Sequence, residues 1–299
     1  MLYSTNLLLL VGLTEYNEFS PKKITIWNTS KNIPVCSSNE FKGNITTAKI
    51  NKKRIVVSER NYLYIFSLEE MKILHTIYSG SINLGKIVLS PNYMENNYLC
   101  YSSVQDEGIV KIYETNYPKN IKNIKAHKSP IMKISINNKG DRLATCSCKG
   151  TIIRIFHLPK DEKIFTFKRG INSAFIYCMT FNKNSDKLII SCDLGNINIF
   201  NLNNDNNNEY KGIMKKIERI YITVLAYIFP DYEDSFGKKG AFLSYNNDNL
   251  NISNLISFNF QNENEIFMFT SDGFYILFNI NEEKENIIKK FKTNIKDIK

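Results

Sequence analysis

IMKISINNKGDRLATCSCKGTIIRIF, residues 131–156, is answered at residues 176–200 by IYCMTFNKNSDKLIISCDLGNINIF. Each segment runs apolar strand, Asn/Asp turn, apolar strand, Gly turn, apolar strand. The turns are Asn137 to Asp141 and Asn182 to Asp186, and Leu143 and Gly150 match Leu188 and Gly195. The period is about 45 residues, and the apolar residues alternate with period 2, which predicts strands rather than helices. Weaker copies end in Ile24-Thr25-Ile26-Trp27, Tyr62 to Phe66, Ile109 to Tyr113 and Phe274 to Phe278.

A repeat of 40–45 residues with about four short strands is the signature of a β-propeller blade. One such sheet cannot bury both faces, and stacking sheets around an axis buries them while leaving only short edges. The expected fold is therefore all-β, a propeller of WD-repeat type. Six blades are recognisable, at roughly 1–38, 43–80, 82–125, 130–168, 174–245 and 252–293, as one domain over 1–299. The fifth carries an insertion: residues 203–208 read Asn-Asn-Asp-Asn-Asn-Asn, a low-complexity segment expected to be disordered. A loop near 203–220 follows, with Lys211, Lys215, Lys216 and Arg219, and then the apolar run Ile220 to Phe229. That run reads as a core element or as part of a membrane-facing loop. The tail Glu282 to Ile298 has apolar spacing that suits a helix and equally a closing strand with a frayed end.

The chain has 299 residues, 43% hydrophobic, enough for a large core. Its net charge of +10 favours polyanionic partners, although a chain crowded with Asn, Lys and Ile has a compositional source of lysine as well. Six cysteines stand at 36, 100, 146, 148, 178 and 192 without a CxxC pair, beside only three histidines. That set predicts no metal site. Free buried thiols of a reducing compartment are expected, with Cys146 and Cys148 on one strand face. Leu7 to Val11 is far too short to span a membrane and fits a buried strand. No secretory signal, catalytic constellation or phosphate-cradling glycine loop is present, so an enzyme is not expected. No cofactor is expected either.

Phe167-Lys168-Arg169-Gly170 lies at the seam between the two best repeats. Neighbouring residues of an extended chain face opposite ways, so the two cations can serve two different anion sites. The simpler alternative is an exposed basic loop.

Four segments in order carry a resemblance. Ala126-His127-Lys128-Ser129-Pro130-Ile131 comes first, then Leu143 to Arg154, then Phe167 to Gly170, then Ser191 to Phe200, with support from Ser4 to Leu7 and Ser20 to Lys23. The chain resembles the PROPPINs, phosphoinositide-binding propellers that include autophagy-related protein eighteen and the WIPI proteins. The resemblance implies seven blades and two lipid headgroup sites, one on each side of the paired cations. It also implies that strands of a first blade precede the segment that here starts at Met1, so an incomplete N-terminus is expected.

By the same resemblance the first headgroup site takes His127, Ser147, Lys149, Gly150, Thr151, Lys168 and Arg169. Phosphates call for cations in fork geometry and neutral donors for the ring hydroxyls. Gly150 would let the backbone approach a phosphate, and His127 would donate to one or serve as a hydrogen-bonded loop histidine. The second and weaker site takes Arg169, Ser191, Asp193, Gly195, Asn196 and Asn198. There Asn196 and Asn198 stand where the family carries threonine and histidine, and Lys168 replaces an arginine. The insertion with Lys211, Lys215, Lys216 and Arg219 corresponds to the family's membrane-facing loop.

The implied function is a phosphoinositide effector for phosphatidylinositol 3-phosphate, with the 3,5-bisphosphate as second candidate. It would be a cytoplasmic monomer, peripheral on autophagosomal, endosomal or vacuolar membranes, recruiting autophagy proteins of the lipid-transfer or conjugation machinery. The rival is a protein-only scaffold with decayed lipid sites. A nucleic-acid partner is not expected, because the charge comes without a nucleic-acid motif.

Overall fold

A computed structural model of the chain describes residues 5–14, 20–82, 86–116, 121–170, 172–193, 197–202, 255–260, 265–270, 274–279 and 287–292. All regular structure among these residues is β-strand, arranged in six antiparallel sheets. Sheet one holds β1 (Leu7–Val11), β2 (Ile24–Asn28) and β3 (Ile33–Ser37). Sheet two holds β4 (Ile45–Ile50), β5 (Arg54–Glu59), β6 (Tyr62–Ser67) and β7 (Ile73–Tyr78). Sheet three holds β8 (Ile87–Leu89), β9 (Tyr98–Tyr101), β10 (Ile109–Glu114) and β11 (Ile121–Lys125). Sheet four holds β12 (Ile131–Ile136), β13 (Arg142–Ser147), β14 (Ile152–His157) and β15 (Glu162–Lys168). Sheet five holds β16 (Ile176–Phe181), β17 (Lys187–Cys192) and β18 (Ile197–Asn201). Sheet six holds β19 (Leu255–Phe260), β20 (Glu265–Thr270), β21 (Phe274–Asn279) and β22 (Ile287–Lys292).

Within each sheet the strands pair in chain order, and each sheet falls inside one of the six expected units. The ambiguous tail resolves in part: Ile287–Lys292 is a strand, with Phe274 of β21 opposite Lys292. Pairing covers an edge of β21 that would otherwise stand open. The insertion at 203–229 lies outside the described residues.

The sheets share one turn device. Asn137 Oδ1 accepts from the amides of Asp141 and Arg142, both at 3.0 Å, and its Nδ2 donates to Asp141 Oδ1. Asn182 does the same with Asp186 and Lys187. Asn51 Oδ1 accepts from Lys53 and Arg54. An Asn side chain that satisfies two turn amides closes a hairpin without help from a partner strand.

At Asn51 the device also joins two sheets. Its Nδ2 donates to Ser90 O at 2.9 Å and Asn97 Oδ1 at 2.8 Å, and Asn97 Nδ2 continues to Asn116 Oδ1. Asn51 is fully buried. Asn51→Ala strands those groups at once, and the expected cost is about 2–3 kcal/mol against about 1 for Asn137→Ala. Urea denaturation of the two variants reads the difference. Equal costs would show that the inter-sheet network contributes nothing.

By proximity of backbone the chain divides into two compact units: Met1–Ser147 with Phe156–Glu162, and Cys148–Ile155 with Lys163–Lys299. In the first unit neighbouring sheets stack face to face. Val56, Leu63, Ile65 and Ile77 of sheet two pack on Ile87, Leu89, Leu99 and Tyr101 of sheet three. Val110, Ile112 and Ile124 of sheet three meet Ile131, Ile134, Leu143 and Phe156 on the next interface. Each such buried aliphatic stabilises by about 1.5–3 kcal/mol relative to an exposed one. Ile24 and Ile26 join Ile55 and Val57, with Leu7, Leu9 and Val11 packed on them. Leu7–Val11 is thus a strand, but a half-buried one. In the second unit β16 lies near β19.

The thiols depart from expectation. All six are free, yet only Cys100, Cys146 and Cys192 are buried. β13 ends at Ser147, so Cys148 leaves the strand and is exposed while Cys146 stays in the core. The two thiols therefore do not share a strand face. Burial pushes the Cys100 and Cys36 thiols upward in pKa, which keeps them protonated and unreactive.

Candidate functional site

β15 ends at Lys168 and the chain leaves it at Arg169, whose amide donates to Thr151 O at 2.8 Å. The extended backbone turns the two side chains apart, as expected. Lys168 is exposed and Arg169 is 3% exposed. Arg169 Nε donates to Gly150 O at 2.6 Å, Nη2 to Asn172 O, and Nη1 to Cys192 Sγ at 3.8 Å. All three acceptors are neutral, so the guanidinium is held in place with its charge uncancelled by them. It ties the β13–β14 turn to the end of β17.

Gly150 has φ +63°, and a Cβ there would sit 2.0 Å from Ala174 O. The open side of this glycine therefore belongs to the chain's own Ala174 carbonyl. That corrects the expectation that a phosphate makes the close approach. Beside it, Ala174 N donates to Lys149 O at 3.2 Å.

Of the other expected first-site residues, His127 is 5% exposed, and its Nε2 lies 3.0 Å from Thr145 Oγ1. Its amide donates to Gly108 O. This geometry is that of a hydrogen-bonded loop histidine. Ser147 is buried at the end of β13, and Thr151 is half-buried. Lys149 and Lys168 are exposed and carry no ion pair with the described residues.

At the second set, Asp193 Oδ1 accepts from Phe175 N, and Asp193 N donates to Phe175 O, both at 2.9 Å. Ser191 Oγ and Asn198 Nδ2 are buried without a hydrogen-bond partner among the described residues. Asn198 stands opposite Ile190 and Ser191 opposite Ile197, so alternation puts Ser191 and Asn198 on different faces of sheet five. Cys192 shares the face of Ile190 and Asn198, and it is Cys192 that meets the guanidinium. Gly195, Asn196, Lys211, Lys215, Lys216 and Arg219 lie outside the described residues.

Three residues that make contacts at these sites were not singled out by the sequence. Thr145 holds His127, and Asn172 and Cys192 hold Arg169. Nothing in their residue types announces those contacts. Arg154, half-buried on β14, was legible. It lies three residues beyond Thr151, on the strand that follows the turn of the expected set, and its counterpart in sheet five is Asn198.

The family model and the curated relatives agree on one family. A family model described as PROPPIN matches residues 1–294. Autophagy-related protein 18 of Dictyostelium discoideum is 36% identical over 208 residues, covering 70% of this chain and 55% of that protein. The protein of the same name from Yarrowia lipolytica is 33% identical over 223 residues, covering 68% of this chain and 55% of that protein. The chain thus matches about half the length of these curated relatives. Among solved structures, Kluyveromyces lactis Hsv2 is similar with a TM-score of 0.70 at 18% identity, covering 98% of this chain and 85% of that one. A complex of KlAtg21 with the coiled-coil of AgAtg16 gives 0.72 at 23% identity, covering 98% and 84%. The fold is a β-propeller.

Proposed function

The chain belongs to the PROPPIN family, and on that premise we propose that it is a non-enzymatic effector that binds phosphoinositide headgroups on membranes and brings autophagy proteins to them. Residues 1–299 would act as one propeller domain. The favoured lipid is phosphatidylinositol 3-phosphate, and the place of action is the cytoplasmic surface of autophagosomal, endosomal or vacuolar membranes.

The observation that carries this reading is the division of labour at Lys168 and Arg169. Arg169 is consumed as framework, its fork aimed at backbone carbonyls and a thiol. Lys168 and Lys149 remain exposed and unpaired among the described residues. Two such ammonium groups beside Thr151 suit a phosphorylated inositol, which needs cations for phosphate and hydroxyls for the ring. One weak attachment seldom holds a protein on a bilayer. A headgroup contact plus the basic stretch around Lys211 to Arg219 would give two, multiplied by effective concentration.

Flotation with vesicles containing phosphatidylinositol 3-phosphate tests the reading. Lys149→Thr with Lys168→Thr is expected to weaken binding by about tenfold or more, each lysine near an anionic surface being worth about 1 kcal/mol. Because both side chains are exposed, the melting temperature is expected to stay put. Undiminished binding by a folded double variant would remove the assignment.

The complex of KlAtg21 with a coiled-coil favours a second reading of the same propeller, as a protein scaffold. A scaffold with decayed lipid sites keeps its membrane location when phosphatidylinositol 3-kinase is inhibited. The lipid effector loses it.

A further inference from the structure

We propose that sheet three carries an anion pocket at the positions that Ser147, Arg154 and Lys168 hold in sheet four, kept shut by the chain's own Asp106. The equivalence follows from backbone hydrogen bonds. Ser90 N pairs with Tyr98 O as Asn137 N pairs with Arg142 O, so Tyr98 and Arg142 occupy the same position in β9 and β13. Counting on from each brings Ser103 onto Ser147. Ala126 N donates to Gly108 O as Arg169 N donates to Thr151 O. Gly108 therefore matches Thr151, Lys111 matches Arg154, and Lys125 matches Lys168. Sheet three thus carries Ser103, Lys111 and Lys125 where sheet four carries Ser147, Arg154 and Lys168.

The turns between the paired strands differ. In sheet four the turn supplies Lys149. In sheet three Val104 to Glu107 runs one residue longer and supplies Asp106. Its Oδ2 lies 3.0 Å from Lys111 Nζ, accepts from Ser103 Oγ at 2.6 Å and from Ser103 N at 3.1 Å. Cation, hydroxyl and amide converge on one oxygen, which is the donor set of a bound oxyanion. Lys111 Nζ also sits 5.9 Å over the Tyr101 ring. Burial alone would raise the Asp106 pKa, but the Ser103 hydroxyl, Lys111 and the Ser103 amide outweigh it and hold it below the ordinary value. The carboxylate therefore stays charged at neutral pH and excludes a second anion. The ligand that its removal would admit is a phosphate monoester dianion. In the wild type the closed pocket keeps sheet three from taking a headgroup.

The inference uses the lipid reading only for the comparison with sheet four, and inorganic phosphate tests it without any lipid. The background is Lys149→Thr with Lys168→Thr, which silences the exposed cations of sheet four. In that background Asp106→Asn is expected to bind phosphate about tenfold more tightly than its parent, read by titration and by a phosphate-dependent rise in melting temperature over matched chloride. Adding Lys111→Met is expected to cancel the gain. Should Asp106→Asn melt below assay temperature, phosphate restoring its fold counts for the pocket, and Asp106→Ser provides a second test. No gain in either variant overturns it. Vesicles with and without phosphatidylinositol 3-phosphate then separate a lipid headgroup from a free phosphate ester as the admitted ligand.

Discussion

Gly108→Ala is expected to destabilise the protein by about 3–4 kcal/mol. Gly108 has φ +69°, and a Cβ there would lie 1.9 Å from His127 O and 2.5 Å from His127 C. A left-handed backbone costs an ordinary residue about 1–2 kcal/mol by itself. The steric conflict adds to that, because the neighbour is backbone and cannot swing aside. Moving the His127 segment breaks the bonds that Ala126 N and His127 N make to Gly108 O, each worth about 1 kcal/mol. Gly170→Ala is the control. Nothing lies within 4 Å of its added methyl, so it should unfold with the wild type. Denaturant midpoints of the two variants decide the matter, and equal midpoints would mean that the turn relaxes freely.

Arg169→Thr should cost nearly as much, about 2–4 kcal/mol, while Lys168→Thr leaves stability unchanged. The arginine is buried and its removal strands Gly150 O and Asn172 O, at about 1–3 kcal/mol for each unsatisfied buried group. Arg169→Lys should recover little, because one ammonium cannot reproduce a planar fork that reaches a turn carbonyl, a loop carbonyl and a thiol. The consequence for function is practical. A double substitution of Lys168 and Arg169 that abolishes lipid binding cannot by itself separate a lost contact from a loosened fold. Thermal melts of the two single variants separate them. An Arg169→Thr protein that melts with the wild type would show that the guanidinium is there for a ligand and not for the framework.

The strands were legible because alternation and turn chemistry are local. Asn137 and Asn182 announce hairpins by their spacing from Asp141 and Asp186, and the backbone closes there as expected. The split of Lys168 from Arg169 was legible for the same reason, since extended chain alternates by geometry. The partners of Arg169 were not. Asn172 and Cys192 reach it only after sheet four and sheet five are formed, and no periodicity marks them. Gly150 shows the limit from the other side. Its need for a positive φ could be read, but the carbonyl that crowds it comes from Ala174, a residue defined by the path between two sheets.

Asp106 is the sharpest case. In sequence it is one acid in a polar turn, with nothing to set it apart from Asp193 or Asp161. The repeat by itself placed strands around Ile109 to Tyr113 and around Thr151 to Phe156, while the backbone hydrogen bonds of the folded sheets set Ser103, Lys111 and Lys125 where sheet four has Ser147, Arg154 and Lys168. Only the tertiary structure decided that Lys111 is already paired and Lys149 is not. The pairing depends on a turn one residue longer bringing a carboxylate back over its own sheet, and distances of 2.6 to 3.1 Å are set by how a loop folds, not by the pattern that predicts the strands around it.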